Sequence, residues 1–108
     1  MKVILRAKSY FKFFSNKEID NLSKMFSERI TLVDWTTSLK GKRKVIEFNK
    51  KLFKSVKTLK VEVKKIYRFK NIIFASIIVH ADKKKLKVLD VIKFNKKFLI
   101  LSINAYHG

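Results

Sequence analysis

Between Lys85 and Asn95 the chain alternates so that Leu86, Val88, Asp90, Ile92 and Phe94 occupy every second position. Side chains of a strand point to opposite faces with period two, so this spacing predicts a strand whose apolar face carries one carboxylate, Asp90. Near the start the period is different. Val3, Ala7, Tyr10, Phe11 and Phe14 recur at helical spacing, with Lys8 and Lys12 on the opposite side, and predict an amphipathic helix over residues 3–14 with Tyr10 on its buried face. Ser15-Asn16-Lys17-Glu18 has the spacing of a capping box and predicts the start of a second helix, with Ile19, Leu22, Met25 and Phe26 as its core stripe.

A short strand is expected at 30–35, with Ile30, Leu32 and Asp34 in phase, followed by a polar loop at 36–40. Gly41 then opens a third helix, whose inward positions are Val45, Ile46, Asn49, Leu52, Phe53 and Val56. Asn49 is the one polar residue on that side, and it reads either as an amide satisfied at the helix edge or as a pocket residue. From Leu59 onward every segment is strand-like. Turns are expected at 69–71, 81–83 and 95–97, a bulge at Lys64-Lys65, and a central place for the almost continuously apolar 72–79.

Helices followed by an antiparallel meander predict one α+β domain over residues 1–108, in which three helices pack on a curved, mainly antiparallel sheet that encloses a pocket. Leu89, Val91, Leu99, Leu101, Ile103 and Ala105 fall on a second apolar face, which predicts a homodimer through the outside of the sheet. A length of 108 residues with 47% hydrophobic content suits a single core.

The formal net charge of +19 invites a nucleic-acid or anionic-membrane partner. Yet the lysines are spread over every segment, and Lys far outnumbers Arg, the better bidentate phosphate ligand. Lys, Ile, Asn and Phe share AT-rich codons, so the bias is read as base composition, with neither specific nucleic acid nor membrane as a partner. Charge interrupts the first eight residues and no apolar run approaches about 18 residues, so neither signal peptide nor membrane helix is expected and the expected location is cytoplasmic. With no cysteine, and His80 and His107 far apart, no metal and no cofactor are expected.

Tyr10, Asp34 and Asp90 each take the buried phase of a different element. Together with Tyr10-Phe-Lys-Phe-Phe-Ser-Asn-Lys-Glu-Ile-Asp20, Met25-Phe26, Ile30-Thr-Leu-Val-Asp34, Gly41 at a helix start, Val88-Leu-Asp-Val-Ile-Lys-Phe-Asn95 and the ending Asn104-Ala-Tyr-His-Gly108, they make almost the whole chain resemble the nuclear transport factor 2-like superfamily, in its ketosteroid isomerase and SnoaL-like polyketide cyclase branch. The resemblance implies a cone-shaped fold around a pocket, Asp34 as the base that moves a proton between carbons, and Tyr10 with Asp90 as hydrogen-bond donors to an enolate oxygen. Where the isomerases carry a second, supporting tyrosine this chain has Asn49, and Trp35 stands in place of a typical proline.

Trp35, Asn49, Phe53, Val88 and Ile92 are the expected pocket wall. Two functions remain open from the sequence. One is proton-transfer isomerisation or cyclisation of a small hydrophobic carbonyl compound. The other is a non-catalytic domain that binds a small ligand or a protein, in which Asp90 satisfies neighbouring donors.

Overall fold

The computed structural model describes residues 2–108. Its first helix, α1 (Lys2–Ser15), buries Val3, Ala7, Tyr10 and Phe11, the stripe that the apolar spacing predicts. The second, α2 (Ile19–Met25), starts without the expected capping box. Ser15 is still the last residue of α1, Lys17 turns the chain with φ 56°, and the Ser15 hydroxyl instead accepts from the backbone N–H of Val61, 2.8 Å away. The serine therefore ties the helix end to the sheet rather than capping the next helix.

At Phe26 the backbone turns extended and α2 runs directly into β1 (Phe26–Val33). Phe26 is thus the first residue of the strand and not the last of the helical stripe. The expected polar loop is also partly a strand: β2 (Ser38–Lys40) folds back on β1, pairing Leu39 with Leu32. Three residues are too few for alternation to show in a sequence. Next comes α3 (Lys42–Ser55), burying Val45, Asn49 and Phe53, and then β3 (Leu59–Phe69), β4 (Ile72–Ala81), β5 (Lys84–Phe94) and β6 (Ile100–His107).

The sheet order is β2-β1-β6-β5-β4-β3, antiparallel throughout except that β1 runs parallel to β6. This is the expected α+β architecture, with the added parallel pair. Strand β4 has an edge neighbour, β3, and the middle of the sheet is β6 and β5. Its apolar continuity has another cause, since one row faces the core and the other, including Phe74, lies on the outer side of the sheet. The bulge expected at Lys64 is present as a register shift between Val63 and Lys65. Further shifts fall within β1 and where β5 meets β6, and such irregularities bend strands.

One of these shifts overturns the expected outer face. Phe94 pairs with Ile100 whereas Lys93 pairs with Ser102, so Leu101 is the extra residue and the phase of β6 flips there. Ile103 and Ala105, expected outside, face inward beside Ile92 and Asp90. The outer face carries Asn104 and Tyr106 in their place, beside Val91 and Leu89. Helix α1 lies against β3 and β4, and α3 against β1.

Candidate active site

Along β5, Val88 and Asp90 are buried and Ile92 and Phe94 are fully enclosed. Between this row, the inward rows of β3, β4 and β6, and helices α1 and α3 lies an apolar cavity of about 310 Å³. Tyr10, Asp34, Trp35, Asn49, Val88 and Asp90 all line it, so three elements bring the three carriers of the expected chemistry to one space. Phe53 and Ile92 do not line it. Phe53 packs its ring edge-on against Phe14, 5.3 Å between centroids, and so supports the wall from behind. Ile92 shares the face of Asp90 but is wholly enclosed in the core, because the cavity ends before it reaches that level of the strand.

Tyr10 is held by aromatic neighbours on its own helix, Phe11 at 5.3 Å and Phe14 at 6.0 Å. Tyr10, Asn49 and Asp90 are 6%, 4% and 7% exposed, and none of their side chains has a hydrogen-bond partner among the described residues. Nor is any wholly enclosed side-chain nitrogen or oxygen among those residues left without one, so the polar atoms of these three reach the cavity itself. Unpaired polar groups in an apolar wall cost free energy unless something else meets them.

Burial sets their chemistry. Losing solvent pushes the Asp90 carboxyl up to about 7, so near neutral pH a large share of it carries a proton. Burial, and then the nearby charge of Asp90, raise the Tyr10 hydroxyl well above the ordinary phenol range and keep it a donor. Asp34 is different. It lies just past the end of β1 and is half-buried, with Oδ1 accepting from the Thr36 backbone N–H at 2.8 Å and the Thr36 hydroxyl at 3.2 Å. Beside it Trp35, half exposed, meets the His107 ring at a tilt of 55°, 5.0 Å between centroids.

The sheet register gives the spacing of the two carboxylates. Val33 pairs with Asn104 and Asp90 with Ala105, so Asp34, one residue beyond Val33, stands level with Asp90 across the intervening β6. Two strand spacings separate their backbones by about 10 Å. Ala105 between them lines the cavity with only a methyl group, leaving the space above it to a ligand.

Sequence reasoning passed over Lys84, although it continues the row Leu86, Val88, Asp90 two residues upstream and lines the cavity as they do. Ala105 was assigned to the wrong face, and no local signal marks the phase flip that turns it inward. Among the described residues no group of three or more His, Asp or Glu side chains could hold a metal ion.

No protein-family model matches the sequence, and no curated protein matches it. Solved structures do match in shape. An NTF2-like protein of unknown function from Cytophaga hutchinsonii superposes with a TM-score of 0.82 at 15% identity, over 98% of this chain and 87% of its own. A SnoaL-like protein of Shewanella putrefaciens gives 0.89 at 11% identity, over 99% and 80%. A protein of Catenulispora acidiphila with a ketosteroid isomerase-like fold, solved with trimethylamine, gives 0.83 at 13% identity, over 94% and 84%.

Proposed function

We propose that this chain, which has the nuclear transport factor 2-like fold, is a proton-transfer isomerase or cyclase acting on a small hydrophobic carbonyl compound. The observation that carries the reading is the set of three buried, unpaired polar groups, Tyr10, Asn49 and Asp90, opening into an apolar cavity that Asp34 also lines. A carbonyl oxygen at the deep end would meet the Tyr10 hydroxyl and the protonated Asp90 carboxyl as donors. Asp34, as carboxylate, takes a proton from the carbon beside the carbonyl. The C–H electron pair becomes the enolate double bond, and the negative charge on oxygen is stabilised by the two donors. Asp34 then returns its proton to another carbon of the conjugated system, which completes an isomerisation. In a cyclisation the enolate carbon instead attacks a second carbonyl, and the alkoxide so formed takes the proton. Asn49 adds an amide that can donate to the ligand.

The test is conversion of a β,γ-unsaturated cyclic ketone, cyclohex-3-enone, to its conjugated isomer, followed by ultraviolet absorbance and by deuterium incorporation in D2O. The expected result is turnover that declines as pH rises through about 7, where Asp90 loses its proton, and that Asp34→Asn abolishes with the thermal midpoint unchanged. Turnover that is the same in Asp34→Asn would reject the role of that residue.

A second reading has its own support. One oxygen of the Asp34 carboxylate, Oδ1, is already engaged by Thr36, which suits a domain that binds a small apolar ligand without transforming it. Saturable binding of the ketone with no deuterium exchange at any pH is the outcome that selects this reading.

A further inference from the structure

The inward row of β5 has a polar group at each end of an apolar stretch: Asp90, then Val88 and Leu86, then Lys84. Lys84 is the one cationic residue of the cavity wall, and it forms no ion pair or hydrogen bond among the described residues. Across the sheet it continues a row with Ala81 and Leu59, paired in register, and burial falls off toward this end of β5: Asp90 and Val88 are buried, Leu86 half-buried and Lys84 exposed. Lys84 thus lines the cavity at its solvent-facing end. Six residue steps lead from Lys84 to Asp90, about 20 Å along an extended strand.

Charge agrees with this polarity. The formal net charge of +19 draws anions toward the protein from every side, and a low-dielectric apolar wall focuses that attraction at the opening. Asp34 would oppose it only if near. It stands level with Asp90, not with Lys84, and charges separated by more than about 8 Å of solvent are largely screened at physiological salt.

We propose that the ligand of this cavity is an amphipathic acid, with a carboxylate or similar anionic end held by Lys84 at the mouth and an apolar body running along Leu86 and Val88 toward Tyr10 and Asp90. This deepens the reading of the cavity as a carbonyl-compound site and rests on it. The anionic end gives the ligand one orientation: beside Tyr10 and Asp90 the wall is apolar and holds no cation to offset a desolvated charge, so the neutral end goes in first. Lys84 is here a binding and orienting residue, with no part in the proton transfer.

The sole tryptophan, Trp35, lines the same cavity and reports on it by fluorescence. Decanoate and decanol, the same chain with and without the charge, are titrated into the wild-type protein, Lys84→Gln and Lys85→Gln at physiological salt. Lys85 is the control because it bears the same charge on the opposite face, paired with His80. The expected result is a preference for decanoate over decanol on the order of fivefold, the weight of one ion pair near the surface, lost in Lys84→Gln and kept in Lys85→Gln. Equal affinity of the wild type for acid and alcohol would overturn the proposal while leaving the apolar cavity as a site. So would an equal loss of preference in both variants, which would assign it to the general positive field. If neither ligand alters Trp35 emission at any concentration, the cavity reading falls and this proposal with it.

Discussion

Asp90 is where the physical chemistry of this protein is most concentrated. Its carboxyl is pushed from about 3.8 up to about 7 by burial, so the folded chain holds its proton over a pH range in which the unfolded chain has released it. The contribution of Asp90 to folding stability is therefore fully present below about pH 4, falls between about pH 4 and 7, and is gone above, a loss of about 4 kcal/mol at 1.36 kcal/mol per pH unit. Asp90→Asn keeps a donor at nearly the same volume and removes the titration. Urea denaturation at pH 5 and pH 7.5 is expected to show the wild type losing about 2.5 kcal/mol more than the variant between the two. An equal pH dependence in both proteins would mean that Asp90 is ionised throughout and serves as a structural acceptor. The position of this carboxylate was legible from alternation alone. That its neighbours would leave it unpaired was not, because hydrogen-bond partners come from elements remote in the chain.

Among the elements, the junction between the β1–β2 hairpin and α3 depends on one glycine. Gly41 takes φ 98° and ψ 144°, a backbone conformation almost closed to residues with a Cβ. Its N–H donates to the Ile30 carbonyl at 2.8 Å while its own carbonyl accepts from Val45 N at 3.2 Å, so one residue joins the sheet to the helix that carries Asn49. A methyl group added there meets nothing within 4 Å. The cost of Gly41→Ala is then conformational rather than steric, and about 1–3 kcal/mol is expected in urea denaturation. A change within 0.5 kcal/mol would show that the junction relaxes freely. The glycine's place at a helix start could be read from the sequence. The β2 strand before it could not, since its three residues become a strand only by pairing with β1.

For the whole molecule, the outer side of the sheet carries a strip of apolar side chains between lysines such as Lys87 and Lys93. Tyr67, Phe69, Leu89 and Tyr106 are 60%, 61%, 40% and 57% exposed. Tyr67 lies in a cross-strand row with Phe74 and Val91, and Leu89 pairs with Tyr106. Rows of this kind, adjacent on one face, are more than scattered surface apolarity. We propose that two chains associate through it. Each brings a large positive charge, so association should strengthen as salt screens the repulsion. Light scattering is expected to give a dimer at moderate salt, and Leu89→Lys with Tyr106→Lys to give a monomer. Monomer alone at every salt concentration would exclude the interface. No helix among the described residues is long and apolar enough to cross a membrane.

The sequence by itself determined what depends on local periodicity: the buried stripe of α1, the faces of α3, the alternation of β5 with Asp90 inside it, and the turn at Asp82, whose φ of 54° aspartate tolerates better than most residues. Tertiary structure alone decided the parallel pairing of β1 with β6, which sets Asp34 level with Asp90 across Ala105, and the bulge at Leu101, which turns Ile103 and Ala105 from the outer face to the cavity. It also separated Phe53 and Ile92 from the wall they were expected to line. Period is a property of neighbours along the chain, whereas register is set by contacts between strands far apart in sequence, and a single extra residue reverses every side chain beyond it.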